Sequence, residues 1–184
     1  MANRFLETLV TPAVRRAQMH YYGKERPRLD APERDPLGDD ERAFIDARDS
    51  FYLATVSENG WPYVQHRGGA RGFLRVVDPT LLGFADYRGN RQLLSTGNLA
   101  VNDRVTLFLM DYPNRTRLKI IGHARVEDAK EHAERFATLA EPGVARVVER
   151  FVLIDVVSFD WNCQQYITPR YTLEEIEALA GSKP

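Results

Sequence analysis

The residues best placed to do chemistry lie in the stretch Gly83–Leu99, GFADYRGNRQLLSTGNL. An apolar strand runs through Phe84 and Ala85 to Asp86, passes Arg88-Gly89-Asn90-Arg91, and turns into a short helix that Gly97 stops. Glycine relaxes the backbone at such a turn, and a helix start offers unpaired N–H groups. Arg91 adds a permanent charge with a planar fork of donors. That combination suits a phosphate. An ordinary strand-to-helix turn with two solvated arginines has the same local sequence, so the stretch alone leaves both readings open.

Other polar residues fall on strands with buried neighbours. Gln65, His66 and Arg67 end one strand, and Arg117 and Lys119 share a face of another, with Leu118 and Ile120 on the opposite face. Charges within strands are costly unless paired, so cations converging on one place imply an anionic ligand or carboxylates. A sheet solvated on one side would instead send Arg117 and Lys119 to water. Metal chemistry is not expected: His20, His66, His123 and His132 fall on separate elements without ligand spacing, and Cys163 is the lone cysteine. The sequence has no nucleophile elbow, no GxGxxG after a strand and no Walker pattern. No catalytic residue stands out.

The chain has 184 residues, 43% apolar and 28% charged, which fits one globular domain with a real core. A net charge of −1 argues against a nucleic-acid partner held by phosphate neutralisation. Positive charge is local, with Arg115, Arg117, Lys119 and His123 lying between Arg104 and Arg125 against Asp111 alone. No apolar run approaches membrane-spanning length, and Met1-Ala2-Asn3-Arg4-Phe5 lacks a signal-peptide core. With one cysteine, a cytoplasmic protein with no membrane partner is expected.

The elements that must hold these residues follow from period and punctuation. Thr11-Pro12 opens a helix to about Met19, and Gly23 ends that segment. Lys24 to Gly38, with Pro27, Pro32 and Pro36, reads as an irregular arm wrapped on another surface. A helix over Asp39–Arg48 precedes a hairpin of Phe51–Ser57 and Trp61–Arg67 joined at Asn59-Gly60. Phe73–Val77 and Leu81–Asp86 form a second hairpin, and Arg104–Tyr112 with Thr116–Val126 a third. Asp128 caps a helix through Leu139, Pro142-Gly143 breaks it, and Arg150–Val157 is a further strand. Thr172-Leu173-Glu174-Glu175 is a capping box for a final helix. Six or seven antiparallel strands with helices at the ends predict a small β-barrel with peripheral helices.

Taken in order, several segments resemble the pyridoxamine 5′-phosphate oxidase-like FMN-binding proteins. They are Pro62–Gly69, Phe84–Leu99, Arg104-Val105 through Leu109, Arg117–Ile120 and Asp160–Cys163, within a span from about Arg42 to Tyr171. The resemblance implies a mainly β, antiparallel split β-barrel, with a helical arm over about residues 1–48 and a C-terminal segment over about 158–184. It implies a homodimer with FMN in grooves at the subunit interface, acting as an oxidoreductase on a small-molecule substrate. On that resemblance Gln65, His66 and Arg67 lie along the flavin, and Ala85 and Asp86 touch it from the strand end. Arg91, with Asn90 and Gln92, holds the phosphate, Arg117 sits near the cofactor, and Arg67, Arg117 or Lys119 supplies a donor to the ring. Trp161, Asn162 and Arg170 close the site from the C-terminal segment. Arg67, Arg91 and Arg117 should therefore meet around one phosphorylated ring molecule. True pyridoxamine 5′-phosphate oxidases carry an Arg-x-His pair near the C-terminus and a lysine after the turn arginine; this chain has Asn162–Arg170 without that pair, and Gln92. The substrate is thus unassigned. A non-catalytic flavin carrier or sensor, or a haem- or deazaflavin-binding relative, remains the alternative.

Overall fold

A computed structural model of the protein describes residues 3–140, 147–161 and 164–181. The strands are β1 (Ser50–Val56), β2 (Pro62–Gly68), β3 (Arg75–Asp78), β4 (Leu81–Tyr87), β5 (Arg104–Asp111), β6 (Thr116–Asp128) and β7 (Val148–Trp161). They form one antiparallel sheet in the order β2-β1-β5-β6-β7-β4-β3. The helices are α1 (Asn3–Leu9), α2 (Pro12–Tyr22), α3 (Asp39–Asp46), α4 (Leu94–Val101), α5 (Phe136–Leu139) and α6 (Leu173–Gly181).

Alternation along the strands sets the core. Phe51, Leu53 and Thr55 of β1 and Val105, Leu107 and Leu109 of β5 are buried, while the residues between them are more open. The sheet curls so that inward residues from its two halves share one core, including Phe51, Phe84, Leu107, Ile120 and Ile154. Phe51 stacks on Phe73 at 5.5 Å and meets Phe84 edge-on at 5.4 Å. A smaller cluster of Ala85, Leu139, Phe151 and Leu153 covers the other side of β4 and β7. The curled sheet stays open, with β2 and β3 as its edges, so the architecture is a split barrel rather than a closed one.

Several local expectations are met by specific contacts. Thr11 Oγ1 accepts from Val14 N, and Gly23 takes a left-handed φ of 66° to end α2, which runs three residues beyond Met19. Thr172 and Glu175 exchange backbone-to-side-chain hydrogen bonds as a capping box at α6. The arm after α2 lies back on the chain's own sheet, with Asp35 N donating to Val157 O and Leu37 N to Pro79 O.

Other expectations need correction. A short helix not expected from the sequence, α1, stands at Asn3–Leu9, and α3 stops at Asp46, short of Arg48. Asp128 does not open a helix; β6 continues to it because its register with β7 extends to the Asp128–Arg150 pair. The helix shrinks to a 3-10 turn at Ala133–Arg135 and the single turn of α5. Pro142 and Gly143 lie outside the described residues. Gly97 sits inside α4 rather than ending it, its N–H donating to Leu93 O. No helix among the described residues is long and apolar enough to cross a membrane.

Candidate functional site

Asp86 is the centre of the site, because it is a carboxylate on a strand whose every inner neighbour is buried. A buried carboxylate must be paired. β4 lies beside β7 with Asp86 opposite Arg150, and Arg150 Nε donates to Asp86 Oδ2 at 2.9 Å. From β2, at the far edge of the sheet order, Arg67 Nη1 donates to Asp86 Oδ1 at 2.5 Å. The Arg67 guanidinium lies 5.7 Å from the Phe84 ring centroid, and its Nε is buried without a hydrogen-bond partner among the described residues. One carboxylate therefore fixes two guanidiniums that approach from different strands.

Immediately after Asp86 the β4–β7 register shifts, and the chain leaves the sheet. Asn90 Oδ1 accepts from Gln92 N, an Asx turn that carries Arg91 in a left-handed conformation with φ 64°. Leu93 has φ 55° and caps α4. Two left-handed non-glycine residues within three positions cost on the order of 1 kcal/mol each, and such strain clusters at ligand sites. α4 is tied to the neighbouring strands by Ser95 Oγ donating to Gln65 Oε1 and Asn98 Nδ2 donating to Thr55 Oγ1, both at 2.9 Å.

These elements enclose a cavity of about 180 Å³ between β2, the end of β4 and the start of α4. Gln65, Arg67, Asp86, Asn90, Arg91 and Gln92 all line it. So does Arg150, which had not been singled out from the sequence. Arg91 is exposed and makes no ion pair among the described residues. Beside the cavity, Glu149 is shared between Arg88 Nε at 3.0 Å and Arg150 Nη2 at 3.2 Å. The Arg88 hydrogen bond, with the nearby Arg150 charge, holds the Glu149 carboxyl below its ordinary value against the opposing effect of desolvation. Four guanidiniums (Arg67, Arg88, Arg91, Arg150) thus face two carboxylates (Asp86, Glu149), leaving two positive charges in excess.

The remaining candidates lie elsewhere. Ala85 points away, into the small core with Leu139 and Phe151. His66 is on the outward face of β2, edge-on to Tyr52 at 5.7 Å, because alternation sends it opposite to Gln65 and Arg67. Arg117 and Lys119 share a half-buried face of β6, as their spacing predicts, but neither lines the cavity. Lys119 Nζ pairs with Asp160 at 3.3 Å and lies 5.0 Å from the Phe5 ring centroid. Arg117 Nε is buried without a hydrogen-bond partner among the described residues. Trp161 Nε1 donates to Glu41 Oε1 at 2.6 Å and packs on Phe44, so the indole anchors α3. Arg170 covers the Tyr112 ring at 5.1 Å beside a separate cavity of about 220 Å³. Asn162 lies outside the described residues. The expected meeting of Arg67, Arg91 and Arg117 therefore becomes a meeting of Arg67, Arg91 and Arg150.

Comparison with known proteins bears on this arrangement. Residues 37–157 match the family model described as pyridoxamine 5′-phosphate oxidase. A putative pyridoxamine 5′-phosphate oxidase from Lactobacillus delbrueckii has a similar structure, with TM-score 0.52 and 22% identity, over 68% of this chain and 93% of that one. HupZ of Group A Streptococcus superposes with TM-score 0.53 at 14% identity, over 73% of this chain and 99% of that one. At these identities the two structures bear on the fold alone. A comparison with curated proteins finds no match. The family model spans β1 to most of β7, the strands that carry every residue of the Arg67–Asp86–Arg150 cluster, and the chain belongs to the pyridoxamine 5′-phosphate oxidase family of split-barrel proteins.

Proposed function

We propose that the protein is an FMN-dependent oxidoreductase in which the cavity between β2, β4 and α4 receives the cofactor's phosphate. The observation that carries this reading is the charge excess around that cavity. The two surplus positive charges, one left by the Arg67–Asp86–Arg150 cluster and one on Arg91, match a phosphate monoester dianion. The unpartnered Arg67 Nε and the first-turn N–H groups of α4, at Leu94 to Thr96, are further donors lining the same space.

At about 180 Å³ the cavity is smaller than the ~300 Å³ lower bound usual for ligand sites. It can take a phosphate, and the rest of the cofactor would then lie across the neighbouring surface. That supports a homodimer in which a second copy completes the site. The β2 edge offers apolar surface for such a contact, with Trp61 72% and Val64 60% exposed. Bound flavin would supply hydride and electron transfer, so no side-chain nucleophile is required. The chain's own part is positional. Asp86 orients two guanidiniums, Ser95 fixes the Gln65 amide, and the Asx turn presents Arg91.

The visible spectrum of freshly purified protein, followed by identification of the released cofactor, tests this reading. A yellow protein that releases FMN and is reduced anaerobically by NADH or NADPH supports it. A colourless protein that does not take up added FMN would contradict it. A yellow protein that neither nicotinamide reduces would favour the flavin-carrier alternative over turnover with these donors.

A further inference from the structure

The family model begins at residue 37, so α1 and the arm that follows α2 precede it. That segment is laid over the outward face of the sheet. Asp35 Oδ2 accepts from Arg4 N at 3.1 Å and from the buried Ser158 Oγ at 2.6 Å, which straps the arm and α1 to β7. The segment does not seal against the sheet. Between them lies a cavity of about 430 Å³, more than twice the volume of the one at Asp86 and within the ~300–1,000 Å³ range of small-molecule sites.

Its two sides differ in chemistry. The floor is the outward face of the sheet, where Ala54, Val56, Ile121 and Val157 present apolar side chains. The walls carry three guanidiniums, Arg4 from α1, Arg34 from the arm and Arg104 from the start of β5, against one carboxylate, Glu33. Arg4, Arg34 and Arg104 form no side-chain ion pair among the described residues, and Arg4 Nε is buried with no hydrogen-bond partner. His123 at the margin is already paired with Asp103 at 3.0 Å. A buried guanidinium donor left unmatched is expensive, and a ligand oxygen is the natural acceptor for it.

We propose that this cavity is a second binding site, separate from the one at Asp86, for an amphipathic organic anion with an apolar body and a single carboxylate. The body lies on the Ala54–Ile121 floor, and the carboxylate is taken by Arg4 with Arg34 or Arg104. Arg4, Leu9 and Arg34 precede residue 37, so this part of the lining lies outside the residues that match the family model. The site does not depend on the assignment of FMN.

Calorimetric titration of the intact protein with decanoate, decanol and decyltrimethylammonium tests it. Decanoate is expected to bind with Kd of about 10–100 μM, and both uncharged and cationic analogues at least ~10-fold more weakly. Arg4→Gln should weaken decanoate about 10-fold, and Ala54→Phe, which fills the floor, should abolish binding while each variant keeps the wild-type melting temperature without ligand. Binding should be the same with and without FMN. Three results would each overturn the proposal. They are equal affinity for decanol and decanoate, competition between decanoate and FMN, or loss of binding as the protein self-associates, which would seat a second copy on this face. Should a variant fold poorly, the comparison of the three ligands on wild-type protein still decides the matter.

Discussion

Arg67 and Asp86 meet at 2.5 Å although their strands, β2 and β4, are separated by four others in the sheet order. No backbone ladder joins β2 to β4, so side chains bridge the gap that curling alone leaves open. Arg150 completes the bridge from the strand next to β4. The same contact that pins the open side of the barrel also aims two guanidiniums at the cavity. The closure of the barrel's open side and the lining of the cavity are therefore coupled at Asp86.

Asp86→Asn should destabilise the protein by about 3–5 kcal/mol, because two largely buried guanidiniums lose their counter-charge. Chemical denaturation measures it. Millimolar inorganic phosphate should recover part of the loss by supplying an anion in the same place, and an unchanged stability would show that the bridge carries no load.

Arg91→Ala should leave the melting temperature within a degree or two, since the side chain is exposed and has no ion pair among the described residues. FMN affinity should fall by about 1.5–3 kcal/mol, the worth of a charge-assisted hydrogen bond. Fluorescence titration with FMN reads the effect, and wild-type affinity in the variant would remove Arg91 from the phosphate.

Gly122→Ala should cost about 1–3 kcal/mol. A Cβ there would sit 2.5 Å from the Asp155 carbonyl oxygen, at the point where β6 and β7 shift register, and a backbone atom cannot swing aside. A melting temperature equal to wild type would mean that the bulge relaxes freely.

Stability should decline in acid partly through Glu127. Burial raises this carboxyl's pKa, but hydrogen bonds from Arg135 and Arg125 and the nearby His132 charge outweigh it and hold the value below its ordinary one. A carboxyl depressed in the folded state adds stability that is complete above its unfolded value and is lost as pH falls through the folded one. Glu127→Gln should therefore be less stable than wild type near neutral pH, by about 1 kcal/mol, with the gap closing towards about pH 3. A gap that persists unchanged in acid would assign the effect to packing.

The fold was largely legible because its signals are local. Asn59-Gly60 and the alternation through Phe51–Val56 each mark a hairpin or strand without reference to distant residues. Arg91 and Asn90 were legible for the same reason, lying within one turn. Arg150 was not, because its role depends on the register that sets it opposite Asp86, and no run of sequence records a cross-strand pairing. Lys119 shows the same dependence on register: its place among apolar residues called for an anionic ligand or a carboxylate, and its charge is met by Asp160, its register partner on β7. The helix expected after Asp128 failed because pairing with β7 outweighed the capping preference of one aspartate.

The most direct test of the phosphate cavity compares FMN with riboflavin, which share a ring and ribityl chain and differ only in the phosphate. FMN is expected to bind the intact protein at least ~100-fold more tightly, with Arg91→Ala and Arg150→Met narrowing the difference. Equal affinity for the two flavins would contradict a phosphate held by Arg67, Arg91 and Arg150.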